Sequence, residues 1–143
     1  MVCVYCSHPT NVVNSRVQKR LGGVWRRRAC NSCGAIYTTF EVVDLSSTLR
    51  VHKSNGDFMP FYRDKLFLSI AEALGHRQDA VEAAGALCAT IITKLLKTSP
   101  GASTTAADIA RIAADTLEQF DAAGLAYYRA YHRNTGLQHT STI

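Results

Sequence analysis

Two Cys-x-x-Cys pairs, Cys3/Cys6 and Cys30/Cys33, stand 23 residues apart in the first third of a 143-residue chain. No other feature limits the fold as much. A Cys-x-x-Cys on a tight turn brings both sulfurs to one side. Two such turns complete a tetrahedral set of four thiolates, which suits Zn2+. The segment that holds them, residues 1–47, has few large apolar residues and no 3.6-residue apolar period. A piece of that size cannot build a sufficient core and needs a staple, which a metal supplies. An Fe–S cluster or a rubredoxin-like iron also accepts four thiolates. A single pair can be a redox motif, but neither pair lies in a βαβ setting. A site closed by four cysteines leaves no open position for water, so the metal is structural. Gly34 follows the second pair, where a knuckle needs backbone freedom, and Ser7 holds the same place after the first. His8, close behind Cys6, is a weaker candidate while four cysteines are present.

Charge narrows the partner. The net charge is +5. Up to Ser47 there are six basic residues (Arg16, Lys19, Arg20, Arg26, Arg27, Arg28) against Glu41 and Asp44, and from Thr48 onward ten basic against nine acidic. Basic character confined to one segment points to a polyanionic partner. A Zn(Cys)4 centre carries −2, and Arg28, next but one to Cys30, is placed to offset part of it. That does not account for the whole block. On a strand over 24–29, Arg26 and Arg28 take one face and Arg27 the other. Arginine forks fit phosphates and guanine edges. Trp25 reads as a packing residue of the small core, with stacking on a base as the alternative.

The segments NVVNSRV and IYTTFEVV read as strands. From Thr48 the pattern changes. LRVHK and DFMPF flank SNGD, a hairpin signal in which Pro60 limits the second strand. Helical periods follow. Leu66, Phe67, Ile70, Ala73 and Leu74 share one face, with Gly75 as a stop. Val81, Ala84, Leu87, Cys88, Ile91 and Leu95 share the next. After a turn, TSPGAS, Thr105 and Asp108 form a capping box that opens a helix carrying Ile109, Ile112, Ala113, Leu117 and Phe120. A last helix, AAGLAYYRAYHR, precedes a polar tail. The fold class expected is α+β, with domains at 1–47 and 48–134 and a tail at 135–143. No apolar run reaches membrane-span length. MVCVYCSHPT lacks a basic region followed by an apolar core, so no signal peptide and a cytoplasmic location are expected. In such a reducing compartment cysteines serve as ligands or free thiols.

The order CVYC, NSR, GGVWRRRACNSCGAIYTTFE resembles the zinc-ribbon half of the NrdR family, bacterial repressors of ribonucleotide reductase genes. VHKSNGDFMPFYRDKL resembles the opening of an ATP-cone, the family's second half. The resemblance covers about residues 1–131. It implies a small β zinc ribbon followed by a mostly helical ATP-cone that starts with a β-hairpin. It implies a repressor, not an enzyme, that binds ATP or dATP, changes oligomeric state, and presents its ribbons to double-stranded operator DNA. By resemblance, Cys3, Cys6, Cys30 and Cys33 hold zinc. Arg16, Arg26, Arg27 and Arg28, with Lys19 beside them, contact DNA. Val51, Lys53, Asn55, Gly56, Phe61, Lys65 and Leu66 form the nucleotide site, with Tyr127 and Arg129 touching nucleotide or another subunit. Lys53 and Lys65 supply charge for phosphate, and Asn55-Gly56 a turn without bulk. There is no GxxxxGK[ST] loop, so ATP reads as ligand rather than fuel. The chain differs from the family's pattern at Asn14 (usually Asp), Trp25 (usually basic), Ile36 (usually Arg), Tyr62 (usually Asp) and Asp64 (usually Glu). Two other readings stand beside this one: an ATP-cone module that regulates an enzyme by direct contact, and a zinc-ribbon protein that binds RNA.

Overall fold

The computed structural model describes residues 1–19, 22–53 and 55–132. It is α+β and divides into two compact units, one spanning Met1–Val43 and one beginning at Asp44. The tail expected at 135–143 lies outside the described residues.

The first unit is an antiparallel sheet in the order β1 (Thr10–Gln18), β2 (Gly23–Cys30), β3 (Ile36–Val42). Cross-strand partners stand on one face of such a sheet. The register therefore places Arg16, Trp25 and Phe40 together, Asn14, Arg27 and Thr38 together, and Ser15, Arg26 and Thr39 on the reverse side. A bulge in β1 between Val12 and Asn14 leaves Val13 as the extra residue, which keeps Val12 opposite Arg28 and Asn14 opposite Arg27. Gly23 is required by a close approach: a Cβ there would run into the Glu41 carbonyl and the Phe40 ring. Among the described residues of this unit only Cys3, Cys30 and Arg28 are buried. Val13, Val17, Ile36 and Val42 are exposed. Among the described residues the sheet has no apolar core of its own, as its composition requires.

The second unit opens with α1 (Leu45–Thr48), whose N-cap Asp44 accepts from the Ser46 N–H. The hairpin signal is realised as β4 (Arg50–His52) against β5 (Phe58–Pro60), antiparallel, with Gly56 at φ 88° in the turn. Four helices follow: α2 (Arg63–Ala73), α3 (Ala80–Thr98), α4 (Ala106–Glu118) and α5 (Ala122–Tyr131). A third strand, β6 (Ser103–Thr105), pairs in parallel with the other side of β4 and gives the order β5-β4-β6. The sequence marked only a turn there. Thr105 caps α4 by accepting from the Asp108 N–H at 3.0 Å, and its hydroxyl donates to Asp108 at 2.7 Å. The expected apolar faces pack into one core that includes Leu49, Ile70, Leu74, Ala84, Ile91, Leu95 and Leu117.

Some expectations shift. Val81 is 69% exposed and Ala83 takes its place inward. Phe120 falls past the end of α4 and lies under the Arg77 guanidinium, 5.0 Å away. α2 ends at Ala73 with Leu74 as its cap, and Gly75 follows without a left-handed φ. Cys88 is fully buried, and desolvation pushes its thiol up to about 11, so it behaves as a small protonated core residue.

Candidate metal centre and nucleic-acid interface

The two cysteine turns are built alike. In each, the residue after the second cysteine bonds back to the carbonyl of the first: Ser7 N–H to Cys3 at 3.0 Å, and Gly34 N–H to Cys30 at 3.0 Å. In each, the first cysteine's N–H donates to the residue five positions on, Cys3 to His8 at 2.7 Å and Cys30 to Ala35 at 2.9 Å. Both closing residues lie in the left-handed region, Ser7 at φ 60° and Gly34 at φ 71°. The sequence offered glycine for only one of them. Tyr37, on β3, donates to the Val2 carbonyl at 2.9 Å and ties the first turn to the sheet.

The turns bring all four sulfurs of Cys3, Cys6, Cys30 and Cys33 within 4.8 Å of one another. The Cys3–Cys33 and Cys6–Cys30 separations are 3.7 and 3.5 Å. A tetrahedron with Zn–S bonds of about 2.3 Å has an edge of about 3.8 Å, so the donor set fits zinc. Protonation points the same way. The Cys33 N–H beside Cys30 holds that thiol down at about 6. Against the lowering effect of the His8 backbone, burial and the other three thiols push Cys6 up to about 12. Thiolates held this close repel one another, and a divalent cation offsets that charge. The His8 ring sits 2.9 Å from the Cys6 carbonyl and is not part of the converging donor set.

The arginine block sits on the central strand. Arg26 and Arg28 converge on one carboxylate: Arg26 Nη2 lies 3.0 Å from Glu41 Oε2, and Arg28 Nη2 3.7 Å from Glu41 Oε1. Arg28 Nε also donates to Thr39 Oγ1 at 3.2 Å. The cation expected to offset the thiolates thus gives its donors to Thr39 and Glu41. Arg27 is exposed on the opposite face. Arg16 stacks over Trp25, with 5.9 Å between guanidinium carbon and ring centroid, and Lys19 is exposed just beyond β1. Sequence alone does not single out Glu41. Its signal was the alternation Tyr37-x-Thr39-x-Glu41, readable only once the register with β2 is known.

In the second unit the nucleotide candidates divide by burial. Val51, Phe61 and Leu66 are core residues, 5%, 3% and 6% exposed. Lys53, Asn55 and Gly56 form the hairpin tip, where Asn55 bonds Asp57 through both its amide nitrogen (2.7 Å) and its carbonyl (3.1 Å). Lys65 stands on the first turn of α2 with its ammonium 5.0 Å from the Tyr62 ring centroid. Tyr127 and Arg129 are exposed on α5. A cavity of about 250 Å3 is lined by Ser69, Glu72, Ala73, Tyr127, Tyr128, Tyr131 and His132. Of the nucleotide candidates it takes in Tyr127 alone.

Residues 1–41 match the sequence model of the NrdR-like transcriptional repressor N-terminal domain, a zinc ribbon. A transcriptional repressor NrdR of Brucella anthropi is 38% identical over 138 residues, covering 94% of this chain and 84% of that protein. Proteins of the same name from Brucella ovis and Brucella canis are 36% identical over 135 residues, with the same coverage.

Proposed function

Because the chain belongs to the NrdR family of transcriptional repressors, we propose that it represses ribonucleotide reductase genes and that adenine nucleotides set its hold on DNA. The observation that carries the reading is β2, where three consecutive arginines stand on a sheet folded around a four-cysteine cluster. Zinc, when bound, holds the two knuckles and hence the sheet in shape. Of the cations expected to contact DNA, Arg16, Lys19 and Arg27 give that sheet the charge to engage a duplex backbone, while Arg26 and Arg28 are taken up by Glu41.

The second unit is the nucleotide sensor in this reading, an ATP-cone that takes ATP or dATP. Val51, Phe61 and Leu66 set the hairpin on the helices from inside the core. Lys53, Asn55 and Gly56 at its tip and Lys65 on α2 offer cations and open backbone to phosphate. Tyr127 and Arg129 on α5 meet the nucleotide or a neighbouring subunit. ATP and dATP change the number of subunits that assemble, and the assembly decides whether ribbons reach paired operator boxes together. The nucleotide is a ligand and the protein a regulator.

A gel-shift titration with the promoter of a ribonucleotide reductase gene, with ATP, with dATP and with neither, tests this. Retention that dATP alters supports it. Retention indifferent to both nucleotides sinks the sensing role. A preference for RNA over the duplex favours the RNA-binding reading, and an effect on the reductase itself without DNA retention favours the enzyme-regulator reading.

A further inference from the structure

The three consecutive arginines do different work. We propose that duplex DNA lies against the Arg16–Trp25–Arg27 face of the ribbon, while Arg26 and Arg28 hold the opposite face together through Glu41. The inference rests on the repressor reading and names the surface that serves it.

Charge separates the two faces. Glu41 is the only acidic residue between Thr10 and Val42, and it stands with Arg26 and Arg28. The other face carries Arg16 and Arg27 with no carboxylate. On the Glu41 face two guanidiniums share one anion, and the Arg28 side chain is 11% exposed. A phosphate there would have to displace Glu41 and uncover Arg28, exchanging one anion for another. Arg27 is exposed and, among the described residues, in no ion pair, so a phosphate or a guanine edge meets it at no such cost.

The neighbours of Arg27 fit the same partner. Asn14 and Thr38 flank it across the two strand pairs, and both are exposed side chains that hydrogen-bond bases or phosphates. Arg16 stands over the Trp25 ring and is exposed, so its guanidinium fork is open to a phosphate or a base edge. Ile36 and Phe40, 57% and 41% exposed, offer apolar contact to sugars and thymine methyls at the same level.

The test uses the full-length zinc-loaded protein, a fluorescein-labelled promoter duplex, a mixed-sequence duplex, and a salt series read by anisotropy. Arg27→Gln is expected to lose about tenfold in promoter affinity. It is also expected to flatten the plot of log affinity against log salt by about 0.9, one phosphate contact. Zinc content and melting temperature should stay at wild type. Arg27→Lys should keep the slope and recover part of the affinity, which rules out a folding defect. Arg26→Gln should keep both affinity and slope but lose zinc to a chelator sooner. Equal loss of slope in Arg26→Gln and Arg27→Gln, both with zinc retained, overturns the assignment. So does an Arg27→Gln protein that binds DNA normally but sediments at a different mass, since the face is then an interface between copies. In either case wild-type binding to the duplex keeps the repressor reading standing. If wild type binds neither duplex at low salt, both fall.

Discussion

Removing zinc should unfold the ribbon and spare the helical unit. Fully burying an aliphatic side chain contributes about 1.5–3 kcal/mol. Among the described residues, the ribbon buries no aliphatic side chain to that degree; its buried residues are two cysteines and an arginine paired to Glu41. A structural zinc supplies on the order of 10 kcal/mol. One ion therefore stands in for a core of about four or five buried leucines. The second unit has such a core, with Leu49, Ile70, Leu74, Ile91, Leu95 and Leu117 essentially without exposure. The assay is titration with a strong chelator under reducing conditions. Released zinc is counted with a colorimetric indicator, and amides are followed by two-dimensional NMR. Resonances of residues 1–43 should collapse into the random-coil region in step with zinc release, DNA retention should vanish with them, and resonances from α2 to α5 should hold their shifts. Ribbon amides that stay dispersed after one equivalent of zinc has left would refute the reasoning. So would a helical unit that melts in the same step.

The symmetry of the knuckles predicts an asymmetric response to mutation. Ser7 sits at φ 60° where Gly34 sits at φ 71°, and a side chain in that region costs about 1–2 kcal/mol. Ser7→Gly should therefore slow zinc loss to a chelator, and Gly34→Ser should speed it; equal rates would mean the turns carry no strain. In the helical unit, Ile91→Ala should lower stability by about 2–5 kcal/mol in urea unfolding followed by helical signal, with zinc content unchanged. Asp121 accepts from the Gly124 N–H at 2.8 Å and meets Arg77 at 3.0 Å and His76 at 3.2 Å. These contacts, the Gly124 amide foremost, hold its carboxyl down at about 2. A depressed folded-state value means that the unfolded chain takes up the proton first as pH falls. The stability Asp121 contributes is then complete above the ordinary carboxylate value of about 4 and is lost between about 4 and 2. Melting temperatures of the helical signal across that window should fall for the wild type and stay flatter for Asp121→Asn.

How much of this was legible in the sequence depended on distance along the chain. The metal cluster was, because each Cys-x-x-Cys is a local device and two of them make a four-thiolate donor set. The capping box at Thr105 was, because cap and partner are three residues apart. β6 was not: its three residues pair in parallel with β4, some fifty positions earlier, and a strand that short has no period of its own. The helical period points Val81 inward, because a period fixes the direction of a face but not how far the core extends along it. The clamp on Glu41 was hidden for a related reason. It depends on the register between β2 and β3, which no residue near Arg26 announces.

The ribbon's reliance on four sulfurs has a consequence for how such a protein can change. In an ordinary sheet most inward positions are committed to packing, and a substitution there threatens the fold. Here the strand positions away from the Glu41 clamp, Gly23 and the knuckles are released from that duty. The places where the ribbon differs from the pattern of the family it resembles are Asn14, Trp25 and Ile36, and the register puts all three on the face of Arg27. A scaffold stapled by metal lets that face vary while the molecule keeps its shape.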